Sequence, residues 1–193
     1  RVGPDNKNST MNIAHLYQSG IGMGDRDYYL LQDDRSKELR EQYVKLMVTQ
    51  FENAGYPAEE ATRAATNAMR IETALAEAHI TREMRRRPEL NYHKMAVSEL
   101  NKAVASFDWD FYFQEVGAEG LDSLNVSQVE PVKAAVKIIE SESLMALKDY
   151  LGWKVINSAA SYLSDDLRLV RAQVRRFVDE VIVPNGDAWE QAG

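Results

Sequence analysis

The sequence predicts a mostly α-helical chain, a multi-helix lobe with one or two short β segments. Three observations carry this. Ala61, Ala65, Ala68, Glu72, Leu75 and His79 recur at spacings of four and three residues, the period of one helix face. Acidic caps and breakers frame several such stretches: Asp33 and Asp34 precede one, and Gly55 and Pro57 follow it. Finally, Gly20, Gly22 and Gly24 interrupt the chain within five residues, and regular structure does not tolerate that density of glycine.

The elements follow in order. Residues 1–10 are polar and carry Gly3 and Pro4, which predicts loop. Met11 to Gln18 reads as a short strand, with Met11, Ile13, His15 and Tyr17 on one side and Ala14 and Leu16 on the other. A helix is expected over 35–54 with Leu39, Tyr43, Leu46, Val48 and Phe51 as its apolar positions, and another over 58–87, ended by Pro88. The small residues of the second, with a neighbouring stripe of Ala64, Ile71, Leu75 and Ala78, suit close helix packing. Further helices are expected over 92–104, over 109–116 with Asp108 as N-cap, over 131–142, over 143–163 and over 167–183. Gly117 and Gly120 break the chain, and residues 125–129 read as a short extended segment.

Composition narrows the function. The 193 residues are 45% hydrophobic and 27% charged, ordinary for a globular chain. A net charge of −7 argues against nucleic acid as a partner, because an acidic surface repels phosphate backbones. No apolar run approaches the roughly 20 residues needed to span a bilayer. There is no cysteine, which removes disulfides, thiolate zinc sites and cysteine nucleophiles together and leaves the compartment open. The chain begins with Arg1 and shows no signal-peptide pattern, as expected of a fragment or processed piece.

No catalytic constellation emerges from the residues. His15, His79 and His93 do not form the His-Glu-x-x-His pattern that puts two zinc ligands one helical turn apart. Glu72 and His79 share a face, yet seven residues separate them by about 10 Å along the axis, too far for a chelate. Asp25-Arg26-Asp27 is expected to be structural, with Arg26 paired to a carboxylate and the loop pinned by Tyr28 and Tyr29. The glycines match neither a Walker loop nor GxGxxG, and no Gly-x-Ser-x-Gly elbow occurs. Arg82, Arg85, Arg86 and Arg87 form the densest cationic patch; it complements a helix C-terminus or meets an anionic peptide or partner. Phe111, Tyr112 and Phe113 read as core. Asn8-Ser9-Thr10 and Asn125-Val126-Ser127 are glycosylation sequons, relevant only in a eukaryotic secretory route.

The segment Gln18-Ser19-Gly20-Ile21-Gly22-Met23-Gly24-Asp25-Arg26-Asp27-Tyr28-Tyr29 resembles the Gln-x-Gly-Leu-Gly-Leu-Pro-x-Arg-Asp-Tyr-Tyr segment of the neprilysin family of zinc metalloendopeptidases, which includes bacterial oligopeptidase O. Gly24 stands where that family usually has proline. Asp5-Asn6-Lys7-Asn8-Ser9, Glu72 to His79, Arg86-Arg87, Tyr92-His93-Lys94-Met95, Glu99-Leu100, Phe107-Asp108-Trp109 and Leu147 to Trp153 are similar to further family motifs and occur in family order.

The resemblance covers about residues 5–163. It implies a helical lobe that helps cover a catalytic lobe and encloses a chamber for short peptides. The zinc, its His-Glu-x-x-His ligands and the substrate strand belong to that catalytic lobe, which this chain lacks. The resemblance therefore places no catalytic, cofactor or metal residue here, and makes the catalytic lobe the partner and short peptides the parent's substrates. Residues 164–193 form a separate tail; Asp165-Asp166-Leu167-Arg168, Val174 to Val178, Pro184-Asn185 and Trp189-Glu190 resemble the first helix of acyl-CoA dehydrogenases. Two alternatives stand beside the lobe: a stand-alone helical protein-interaction module, and a flavin-dependent acyl-CoA dehydrogenase fragment suggested by the tail.

Overall fold

The computed structural model describes residues 1–159. The expected helix over 167–183 and the tail unit 164–193 lie outside them, as does the end of the helix expected over 143–163. The described chain is mainly helical and also holds one four-stranded sheet. It divides into two units, Arg1–Leu30 with Ala74–Glu140, and Leu31–Thr73 with the described residues from Ser141.

The first unit is built on the sheet. Residues 1–10 are not loop: β1 (Val2–Asp5) and β2 (Asn8–Leu16) form an antiparallel hairpin. The Asp5 carboxylate accepts the Lys7 N–H at 2.9 Å and closes the turn, a device that a polar, proline-bearing stretch hides from a hydrophobicity pattern. β2 then pairs in parallel with β4 (Ser123–Val126), and β3 (Lys94–Ala96) pairs antiparallel with β4. Residues 92–96 are thus extended where a helix over 92–104 is expected. Pairing with β4 overrides their local preference, and the helix starts only at α5 (Val97–Ala103), where the Glu99 carboxylate accepts the Ala96 N–H at 2.9 Å.

One sheet face, through Ala14, Leu16 and Leu124, packs on a core with Val97, Leu100, Val104, Trp109, Phe113 and Val136. Here α6 (Trp109–Glu115) begins as predicted, the Asp108 carboxylate accepting the Phe111 N–H at 2.9 Å. Trp109 and Phe113 are buried, whereas Phe111 is exposed and not part of the core. α7 (Val129–Ser141) closes this unit.

The second unit holds α2 (Asp34–Asn53), α8 (Leu144–Ala159) and most of α3 (Ala58–Ala78). Asp33 caps α2 by accepting the Ser36 N–H, and Gly55 follows its end at φ 98°, a left-handed conformation that glycine adopts at no steric cost. The buried apolar positions of α2 are Tyr43, Met47 and Phe51, a clean four-residue repeat. Leu46, expected inside, is about half exposed, and Met47, passed over, is fully buried. The alanine stripe behaves as predicted: Ala61, Ala64, Ala65 and Ala68 have no exposed surface. Replacing Met47 by Ala is expected to cost about 2–5 kcal/mol, while Leu46→Ala stays within about 0.5 kcal/mol; chemical denaturation of the two variants checks the assignment.

Candidate functional site

The segment that leads the family resemblance, Gln18–Leu30, is a strap laid along the chain around the end of α3, and nearly every residue type in it has a bonding task. Gln18 uses both ends of its side-chain amide on one backbone residue: its oxygen accepts the Ile80 N–H at 2.9 Å and its nitrogen donates to the Ile80 carbonyl at 3.2 Å. The N–H of Gln18 donates in turn to the Gln128 side chain at 2.8 Å. His79 donates from Nε2 to the Ser19 carbonyl at 3.1 Å.

Further along, the buried Tyr29, on a single helical turn α1 (Asp27–Leu30), accepts the N–H groups of Gly22 and Met23 at 2.9 Å each. Arg26 reaches the Ala76 carbonyl at 3.3 Å, one of the last carbonyls of α3, where a cation is favoured. Gly24 sits at φ 81°, which a proline ring, fixed near −65°, does not reach. The backbone here therefore takes a course that the family's usual proline excludes.

These contacts correct one expectation about the loop. Arg26 pairs with a backbone carbonyl, not a carboxylate; the ion pair of this loop is Asp25 with Arg85, at 3.6 Å. The buried Tyr29 holds the strap through its hydroxyl. The strap also explains why α3 stops at Ala78 instead of continuing to 87. Ile80 spends its backbone N–H and carbonyl on Gln18, so they are lost to a helix ladder. Thr81 then caps a new turn, α4 (Arg82–Arg85), and a 3₁₀ turn, Pro88–Leu90, follows. Arg82, Arg85, Arg86 and Arg87 thus do not decorate the end of a long helix.

The other candidates are committed to the fold. His15 is buried; its Nε2 donates to the Pro4 carbonyl at 3.2 Å, leaving Nδ1 to face the Asn125 amide nitrogen at 3.3 Å. His93 donates from Nδ1 to the carbonyls of Val126 and Ser127. Asn125 is wholly buried: its oxygen accepts the His93 N–H and its nitrogen donates to the Asn91 carbonyl and the Ser127 hydroxyl. Asn8, the other sequon asparagine, is exposed and accepts the Thr10 hydroxyl at 2.6 Å. The Asp5 carboxylate is held at about 2 by hydrogen bonds from the Lys7 backbone, Lys94 and Tyr92.

Within the second unit, Glu72 is fully buried and bonded to the Tyr43 hydroxyl at 3.1 Å and to Lys154 at 3.4 Å. Burial and the Glu72 charge push the nearby Tyr150 hydroxyl up to about 12. Among the described residues no group of three His, Cys, Asp or Glu side chains is placed to hold a metal ion. Each of the three histidines gives one ring nitrogen to a backbone carbonyl, and the buried carboxylates Asp5, Glu72 and Asp149 accept from donors of the fold.

Comparison with known proteins agrees with this scaffold. The family model of peptidase family M13 matches residues 1–192. The chain belongs to peptidase family M13. The match runs through the stretch beyond residue 163, where the motifs read from the sequence end.

Endothelin-converting enzyme 1 of Cavia porcellus is 32% identical over 167 residues, 84% of this chain and 22% of the relative. Neprilysin-3 of Drosophila melanogaster is 27% identical, over 91% of this chain and 24% of its own length. Among solved structures, the zinc metalloprotease ZMP1 of Mycobacterium tuberculosis in its open state matches with a TM-score of 0.77 at 25% identity, over 90% of this chain and 27% of that one. PEPO of Lactobacillus rhamnosis shares the fold with a TM-score of 0.71 at 16% identity. The chain spans about a quarter of the length of the relatives it matches.

Two outcomes follow from the strap. Tyr29→Phe removes the acceptor that Gly22 and Met23 share and is expected to cost about 1–3 kcal/mol, with faster hydrogen exchange at those two amides. Burial, the largest cause, holds the His79 imidazole below its ordinary 6.5; Arg85 and Arg26 add to this and the Ser19 carbonyl opposes it. A histidine kept neutral in the fold stabilises it fully above the ordinary value, and that stability is lost as pH falls below it. Thermal unfolding followed from about pH 7 to 5 should show a falling midpoint, and His79→Gln should flatten the decline.

Proposed function

We propose that this chain is a non-catalytic helical lobe of a zinc metallopeptidase, whose role is to shape and restrict the chamber that admits short peptides. Support comes from family membership together with one observation of the structure: the three histidines and, among the described residues, the buried carboxylates Asp5, Glu72 and Asp149 hydrogen-bond to their own fold. A rigid wall has this chemistry; a reaction centre needs groups left for its substrate.

On this reading the catalytic lobe of the parent is the lobe's partner, and it would supply the zinc, which activates water for peptide-bond hydrolysis when bound. Residues 1–163 would form the lobe proper, with 164–193 as a distinct segment after it.

The chain expressed by itself is expected to bind no stoichiometric zinc and to cleave no peptide, while the parent protein does both. Metal analysis by mass spectrometry and a fluorogenic peptide assay on the two samples check this. One zinc per chain in the isolated piece, accompanied by cleavage, would overturn the reading.

A further inference from the structure

The arginine-bearing turn after α3 is fixed in shape by the polar core of its unit. The Asn91 amide nitrogen donates to the carbonyls of Met84 and Arg85, at 3.1 and 3.2 Å, and also meets that of Arg87. Asn91 is itself held: its side-chain oxygen accepts from Gln128 and its backbone carbonyl from Asn125, both buried. Asp25 secures Arg85. The remaining arginines of the turn, Arg82, Arg86 and Arg87, are exposed, and among the described residues no hydrogen bond or ion pair engages their guanidinium groups.

The alternative of cations soothing a helix C-terminus loses its basis here. α4 has four residues, too short for an appreciable dipole. Its terminal carbonyls already accept from Asn91 and from the N–H groups of Arg86 and Arg87. Glu83 and Glu89 lie in the same stretch but form no ion pair with these arginines. Three guanidinium groups are therefore presented on a backbone that is costly to deform, on a chain whose net charge is −7.

We propose that this turn is a docking site for a short acidic segment of a protein partner, with carboxylates accepting from Arg82, Arg86 and Arg87. Guanidinium forks suit carboxylates, and a fixed backbone lowers the ordering cost of binding. A nucleic acid or an anionic membrane carries its charge well past the patch. On a chain whose net charge is −7 that extended charge is repelled more than a short peptide's, and only contacts within about 8 Å escape screening. The proposal is independent of the lobe reading, since it requires neither zinc nor cleavage.

Fluorescence anisotropy tests it on the full-length protein carrying this chain, with labelled hexaglutamate as probe and EDTA present to stop metal-dependent cleavage. Saturable binding that weakens with added salt is expected. The triple variant Arg82→Gln, Arg86→Gln, Arg87→Gln should bind about tenfold more weakly with an unchanged circular dichroism spectrum. Absence of binding, or equal binding by the triple variant, overturns the proposal. So does tighter arginine-dependent binding of a single-stranded DNA oligonucleotide or of phosphatidylserine vesicles than of the peptide.

Discussion

A polar group that leaves water must find a partner inside the protein, and this constraint organises both units. In the helical unit it centres on Glu72. Removing a carboxylate from water costs several kcal/mol unless hydrogen bonds and an opposite charge offset it. Glu72 receives the Tyr43 hydroxyl from α2 and the Lys154 ammonium from α8. The Trp153 indole donates to Tyr43 at 3.1 Å, so the Tyr43 hydroxyl accepts from α8 while it donates to Glu72. Three helices are tied at one oxygen-rich point, and the fully buried alanines of α3 leave room for them to approach. Asp149, also buried, repeats the arrangement with Arg63 and Asn67.

In the sheet unit the same constraint is met by amides. Gln18, Asn91, Asn125 and Gln128 bond to one another and to neighbouring backbone. These side chains stand in for ladder bonds where the chain is irregular, which is how a strap with three glycines keeps one conformation. The strap is therefore a consequence of the polar core beneath it. The residues that lead the family resemblance are the ones with the most bonds to make, not the ones with chemistry to perform.

That division explains what the sequence disclosed. The alanine stripe with Glu72 and His79, the Asp33 and Asp108 caps and the glycine breaks were all readable, because each is a local rule acting on neighbouring residues. The hairpin at residues 1–10 and the strand Lys94–Ala96 were not, because their stability comes from pairing with residues far away in the chain. The end of α3 at Ala78 escaped for the same reason: it depends on a glutamine some 60 residues earlier. The exchange of Leu46 for Met47 is a smaller failure, a phase error of one residue on a helix with several apolar choices. Within the strap, the glycines and Tyr29 read as structural, but the Arg26 partner did not, since a backbone carbonyl carries no residue signature.

Asn125 has one more implication. Its side-chain nitrogen, the atom to which an oligosaccharide is attached in a secretory pathway, is buried and already donates to Asn91 and Ser127. A glycan at that nitrogen and the assembled sheet exclude one another. In a eukaryotic secretory host, occupancy at Asn125 would mark molecules that were modified before β4 was in place and could not then complete it. The sequon would thus act as a clock, recording how quickly the sheet closes relative to the modifying enzyme.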